Sequence, residues 1–245
     1  GRRTPGEDLA PGPIALDNIA KTYDSSRGAI RALRGASLAV PTGRIAAVVG
    51  PSGCGKSTLI RIVAGLEAPD SASEATWAKG RARAALMPQS DSLAPWLCVR
   101  DNVAIPLVLA GTSKKDARNA AQAALEDLGL GGFASHRPEE LSGGMRARIA
   151  FARTMLTPAH AILLDEPFGA LDALTRATAC DWLAGVLHEN PRTTVIVTHD
   201  ILEAVQLADE VHVMSERPGR VTCSIPIDLP RPRGAETRRL KRFHD

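Results

Sequence analysis

The chain has 245 residues, of which 44% are hydrophobic, 23% charged and 3% aromatic, with a net charge of +3. That composition excludes an intrinsically disordered chain, and the length is ample for a buried core. Eight aromatics are too few for a single-stranded nucleic-acid binder built on stacking, and no apolar run approaches the ~18 residues of a spanning helix, so a soluble α/β chain is expected.

Residues 1–13 are polar and rich in Gly and Pro. They read as a tail without a secretory signal. The four cysteines, Cys54, Cys98, Cys180 and Cys223, are scattered. With no CxxC or Cys/His cluster, they fit incidental thiols in a reduced cytosolic protein. Arg44 to Gly50 (RIAAVVG) reads as a buried strand, and Lys56 to Leu66 carries apolar residues at helical spacing. Between them lies Gly50-Pro51-Ser52-Gly53-Cys54-Gly55-Lys56-Ser57-Thr58, a match to G-x-x-x-x-G-K-[ST] with a strand before and a helix after. Glycines let successive N–H groups converge on an anion, and the helix N-terminus adds partial positive charge. Lys56 is placed to meet the β- and γ-phosphates and the Ser57 hydroxyl to ligate Mg²⁺. The loop therefore predicts a nucleoside triphosphate.

From about Asp91 to Thr157 the pattern is mostly helical. Ser113 with Asp116 resembles a capping box. Ala117, Ala120, Ala121, Ala124, Leu125 and Leu128 then form one apolar face ended by Gly129. Another helix is expected from near Ser142 to before Pro158. Ala161 to Asp165 and Thr193 to Thr198 read as buried strands. The first ends in Asp165-Glu166, suited to the Mg²⁺ shell and to orienting and deprotonating an attacking water. Alone such a pair fits an ordinary surface turn equally well; beside a phosphate loop it reads as chemistry. Val211 to Ser215 and Val221 to Ile227, joined through Arg217-Pro218-Gly219, read as a hairpin. Leu229 to Asp245 is Arg-rich and reads as a solvated tail or a loosely packed last helix, with phosphate or lipid contact as the lesser alternative. Short strands alternating with helices predict a parallel sheet flanked by helices, interrupted by a helical insertion.

Leu141-Ser142-Gly143-Gly144-Met145, directly before a helix, resembles the LSGGQ signature of ABC transporter nucleotide-binding subunits. A Ser hydroxyl and Gly amides at a helix N-terminus make a second anion site. The resemblance spans roughly residues 14–220. It implies an ABC-type α/β phosphate-loop ATPase core at 14–90 and 158–228, an inserted α-helical subdomain at 91–157, and a basic tail at 229–245. It implies ATP and Mg²⁺ as cofactors, the metal held by Ser57, Gln89 and Asp165. Tyr23 matches the aromatic that stacks on adenine, Gln89 the loop glutamine that senses Mg²⁺ and water, and His199 the switch histidine at the γ-phosphate. Asp172, in Ala170-Leu171-Asp172, matches the loop that crosses a dimer interface. Ser142, Gly143 and Gly144 would then serve ATP bound to a partner subunit in a head-to-tail homodimer.

The segment Leu93-Ala94-Pro95-Trp96-Leu97, Met145, and Met214 to Arg220 are similar to importers of the nitrate, sulfonate and taurine group. Cargoes of thiamine-precursor, riboflavin-like or bicarbonate type are the alternatives, and a soluble non-transport ATPase is a more distant one. Permease subunits and, indirectly, an extracytoplasmic solute-binding protein are the implied partners, with no nucleic acid, at the cytoplasmic face of the membrane. Trp96 reads either as an anchor for the permease or as packing within the helical segment. Three departures from the family pattern are Met145 in place of Gln, with activity expected to survive, a missing Gly-rich hairpin at 71–83, and the run Arg146, Arg148 and Arg153 in place of the usual Gln-Arg.

Overall fold

A computed structural model describes residues 12–26, 28–71 and 84–233. Almost all of the segment lacking the Gly-rich hairpin, most of the N-terminal tail and the basic run after Arg233 lie outside the described residues.

The chain opens with two antiparallel strands, β1 (Ile14–Tyr23) and β2 (Ile30–Val40), which pair only with each other. β3 (Ile45–Val49) follows and leads through the phosphate loop into α1 (Lys56–Val63). After β4 (Ala84–Met87) come α2 (Val99–Leu109), α3 (Lys114–Asp127) and α4 (Gly143–Met155), with no strand among them. The chain then runs β5 (Ala161–Asp165), α5 (Ala173–Glu189), β6 (Thr193–Thr198), α6 (Ile201–Leu207), β7 (Glu210–Met214) and β8 (Val221–Pro226).

The main sheet has the order β4-β5-β6-β3-β7-β8; β4 to β7 run parallel and β8 returns antiparallel to β7. Its central strands are buried along their whole length because both faces are covered. Alternation sorts their side chains. Ile45, Ala47, Val49, Ile162, Leu164 and Ile196 face a core shared with α3, α4, α5 and α6. Ala46, Val48, Ala161, Leu163, Val195 and Val197 face a second core shared with α1, β1 and β2.

The predicted strands at 44–50, 161–165 and 193–198 and the late hairpin are present. α3 is capped as expected. Ser113 Oγ accepts from Asp116 N at 3.1 Å, Ala117, Ala121 and Leu125 are buried, and Gly129 ends the helix at φ +70°. The β1–β2 sheet is an addition that the sequence reading lacks. β1 carries register shifts and Asn18 at φ +51°, which break the two-residue alternation that marks a strand. The start of the basic tail is a correction. Arg231 pairs with Asp209 at 3.2 Å, and Arg233 is 2% exposed, not solvated. The Arg233 guanidinium donates to the carbonyls of Val205, Ala208, Ile227 and Leu229, so it closes the C-terminal end of α6.

Candidate active site

The parallel strands deliver their chemistry to one edge. Gly50 follows β3, Gln89 follows β4, Glu166 follows β5 and His199 follows β6, all at strand C-terminal ends, where open α/β sheets bind ligands. Gln89, Glu166 and His199 line a pocket of about 520 Å³ with Tyr23, Ser52, Lys56 and Ser57.

The loop is shaped by glycines at two demanding points. Gly53 (φ +73°) and Gly55 (φ +110°) adopt backbone conformations that disfavour a side chain. A Cβ at Gly55 would also sit 2.8 Å from the Ala32 carbonyl oxygen. Lys56, 5% exposed, folds back under the loop and donates from Nζ to the carbonyls of Gly50 and Pro51, each at 2.9 Å. Its charge is thus held where α1 presents its N-terminus.

Ser57 Oγ donates to Asp165 Oδ1 at 3.2 Å. Burial pushes the Asp165 carboxyl up, and the Ser57 hydrogen bond opposes that rise. Glu166 is a non-glycine residue at φ +47°, and its N–H is fixed to the Val197 carbonyl at 2.8 Å. This turn aims its carboxylate between two neighbours: Gln89 Nε2 donates to Oε2 at 3.0 Å, and His199 Nδ1 lies 3.5 Å from the same oxygen. A carboxylate, an imidazole and an amide thus meet beside an anion-binding loop.

Tyr23 lines the same pocket. Its hydroxyl donates to Glu67 and lies 3.3 Å from Thr58 Oγ1, and Lys21 Nζ sits 5.5 Å from the ring centroid. Ser142, Gly143 and Gly144 do not line this pocket. Ser142 caps α4 by accepting from Met145 N at 3.3 Å. Asp172 caps α5 by accepting from Leu174 N and Thr175 N at 3.1 and 3.0 Å, and the Thr175 hydrogen bonds hold its carboxyl below the usual range. Signature and Asp172 loop are neighbours: a Cβ on Gly143 would meet Leu171, and one on Gly144 would meet Thr175. Ser142 and Asp172 are exposed there, Gly143 and Gly144 half-buried, and none of them lines the pocket beside the chain's own phosphate loop.

Several contributors carry no motif. Arg217 lines the pocket from the β7–β8 turn. Gly219, in the same turn, packs so closely that a Cβ would overlap the Cys54 carbonyl oxygen, and its N–H donates to Ala32 O at 2.9 Å. On α4, Arg146 Nε donates to Asp91 Oδ2 at 2.9 Å, and Arg153 donates to the carbonyls of Asp91 and Ser92 at 2.8 and 2.7 Å. These arginines tie the signature helix to the segment after Gln89. The sequence marks the 214–220 stretch by its family likeness and Arg146 and Arg153 as a departure from the family pattern, but not their partners or their contact with the site.

A phosphate-loop nucleotide fold with a Ser-capped, Gly-Gly helix start on a separate helix defines the class. The ABC transporter family pattern matches residues 33–169, and this chain belongs to that family. It is 42% identical to the aliphatic sulfonates import ATP-binding protein 1 of Rhizobium johnstonii, covering 91% of this chain and 80% of that one. It is 40% identical to the bicarbonate transport ATP-binding protein of Synechococcus elongatus, covering 90% of this chain but 34% of that longer one. Among solved structures, a dimeric bacterial ABC transporter cassette superposes with a TM-score of 0.75 at 29% identity, covering 89% of this chain and 100% of the cassette. The same cassette is known in a post-hydrolysis state bound to ADP and phosphate, at the same similarity.

Proposed function

We propose that this chain is the ATP-hydrolysing subunit of an importer, driving uptake of a small solute through partner permease subunits. The observation that carries the reading is the convergence of Lys56, Gln89, Glu166 and His199 on one pocket at the sheet edge. Residues 14–90 and 158–228 act as the ATP-binding core, 91–157 as the helical subdomain.

ATP lies with its phosphates on the loop amides of Ser52 to Thr58 and its adenine against Tyr23. Lys56 exchanges its loop carbonyls for phosphate oxygens. The residues fit Mg²⁺: Ser57 and Asp165 converge within 3.2 Å, and the described residues hold no cluster of three His, Cys, Asp or Glu able to cage a metal. Mg²⁺ suits such a sparse set, because it keeps waters and phosphate oxygens as its other ligands. When bound it neutralises charge on the phosphates, with Ser57, Gln89 and Asp165 as its protein partners. Glu166, held by Gln89, accepts the proton of the attacking water, and His199 supports the γ-phosphate. Ser142, Gly143, Gly144 and Asp172 serve the nucleotide of a second copy in a head-to-tail dimer.

Trp96 supports a permease contact. It is 72% exposed, so packing within the helical segment is not its role. At the far end of α2, Leu109 is 82% exposed and borders a groove of about 720 Å³ between α2 and the core, lined also by Ala64, Pro88 and Ile105. Aromatic and aliphatic anchors of this kind occupy contact cores. In this reading the chain sits at the cytoplasmic face of the membrane, with a solute-binding protein on the far side. No described helix is long and apolar enough to cross a membrane.

The experiment is phosphate release from ATP by the purified chain, alone and with its permease subunits. Hydrolysis that disappears on replacing Lys56 by Ala supports the reading, and no hydrolysis in either setting overturns it. A sulfonate is the cargo favoured by the relative in Rhizobium, and bicarbonate is the second reading, favoured by the relative in Synechococcus. Uptake of labelled taurine against bicarbonate by a deletion strain separates them.

A further inference from the structure

α5 begins at the cap Asp172, and Arg176 lies one turn further on. Its guanidinium reaches two loops at once. One terminal nitrogen donates to the Leu171 carbonyl at 2.9 Å, and the other lies 3.6 Å from Asp200 Oδ2. Its Nε is buried with no hydrogen-bond partner. Asp200 is itself fixed, because Oδ1 accepts from Leu202 N at 2.8 Å and Glu203 N at 3.2 Å, which caps α6. Its own N–H donates to Thr198 Oγ1 at 3.0 Å. The residue between Thr198 and Asp200 is His199, whose ring faces Glu166.

We propose that Arg176 is a positioning residue that couples the Ala170-Leu171-Asp172 loop to His199 through Asp200. The inference rests on the reading above, in which that loop meets a second copy and His199 supports the γ-phosphate. A rigid planar fork cannot follow both partners when they separate. Holding the Leu171 carbonyl in place keeps the guanidinium against Asp200, and Asp200 then keeps the first turn of α6 and its preceding His199 in register. When the loop moves away, the 3.6 Å ion pair is the weaker contact and opens first, which frees the His199 segment. Contact with a second copy is thereby conveyed to the catalytic carboxylate without either loop touching the other. The unpartnered Nε supplies a spare donor for the displaced carboxylate during that exchange.

The test uses the purified full chain and a kinetic cycle of Arg176→Ala, Arg176→Lys, Asp200→Asn and the Arg176→Ala/Asp200→Asn double variant. Asp200→Asn keeps an oxygen for the α6 cap while removing the charge. Arg176→Ala is expected to lower kcat by about tenfold or more with the KM for ATP changed less than about threefold. Arg176→Lys keeps the charge without the fork and should recover little of that loss, and the double variant should be no slower than the worse single one. Affinity for a fluorescent ATP analogue should be unchanged throughout. The proposal is overturned if Arg176→Ala turns over within twofold of wild type, if the two single losses multiply in the double variant, or if Arg176→Lys turns over like wild type. If Arg176→Ala does not fold, the Lys and Asn variants complete the cycle, and full independence between them overturns it equally. Failure of the underlying site reading is separate, since it appears as unimpaired turnover in Glu166→Gln.

Discussion

Gln89 Nε2 donates to Glu166 Oε2 at 3.0 Å, a bond that joins the end of β4 to the end of β5 across the mouth of the nucleotide pocket. A carboxylate fixed in this way is oriented without being neutralised, as a proton acceptor must be. Glu166→Gln should therefore lower ATP turnover on the order of 10²-fold or more while leaving ATP binding intact. Steady-state phosphate release and equilibrium nucleotide titration check the two halves. Turnover like the wild type removes Glu166 from its role.

Lys56 is the second test. Its ammonium is held by the carbonyls of Gly50 and Pro51, so Lys56→Ala removes the loop's one buried cation. Charge-assisted contacts to phosphate are the strong ones. We expect affinity for ATP to fall by at least about tenfold, measured with a fluorescent analogue, and an unchanged affinity would count against the phosphate-loop assignment.

Trp96 tests coupling instead of chemistry. Because it is largely exposed, Trp96→Ala should shift stability by no more than about 0.5 kcal/mol and leave the isolated chain's ATPase rate as it was. Solute uptake by the assembled transporter should nonetheless drop. Normal uptake would take Trp96 out of the permease contact.

Glu203 gives a pH prediction. Burial pushes its carboxyl up to about 7, against a hydrogen bond from Thr198 that lowers it. In the unfolded chain the same group ionises in the ordinary carboxylate range, near 4.3. Between those values folding takes up a proton, so this group's contribution to stability falls as pH rises from about 4.3 to 7 and is level beyond. His212 acts in the opposite sense, because burial lowers its pKa and its contribution is lost as pH falls through the ordinary histidine range. Comparing Tm of Glu203→Gln with wild type from pH 5 to 8 isolates the carboxylate. The variant should gain relative to wild type as pH rises, and parallel curves would refute the assignment.

What the sequence made legible was the part written in short range. The runs at 45–49, 161–165 and 193–198 are buried on both faces, so their apolar character is continuous and easily read. Each is followed directly by its functional residue, and placing those strands side by side brings the motifs together. β1 and β2 were not legible, because bulges in β1 interrupt its alternation and their inner faces are defined only by α1 and the main sheet. Arg176, Glu203 and Arg233 were equally hidden. An arginine or glutamate in a helical run reads as solvated surface, and only tertiary packing converts Arg233 into the closure of α6 or Glu203 into a buried acid.

The turn at Gly219 has a consequence for how natural variation in this chain is to be read. It sits in a surface hairpin, far along the sequence from the phosphate loop, yet its α-carbon rests against the back of Cys54 and its backbone bonds to both Ala32 and Arg34. Only a hydrogen atom is tolerated at that position. A Gly219→Ala allele would therefore behave as a nucleotide-pocket lesion, distorting the loop from behind. A saturation screen scored on ATP binding should place this buried glycine among the intolerant positions, beside the lysine of the phosphate loop.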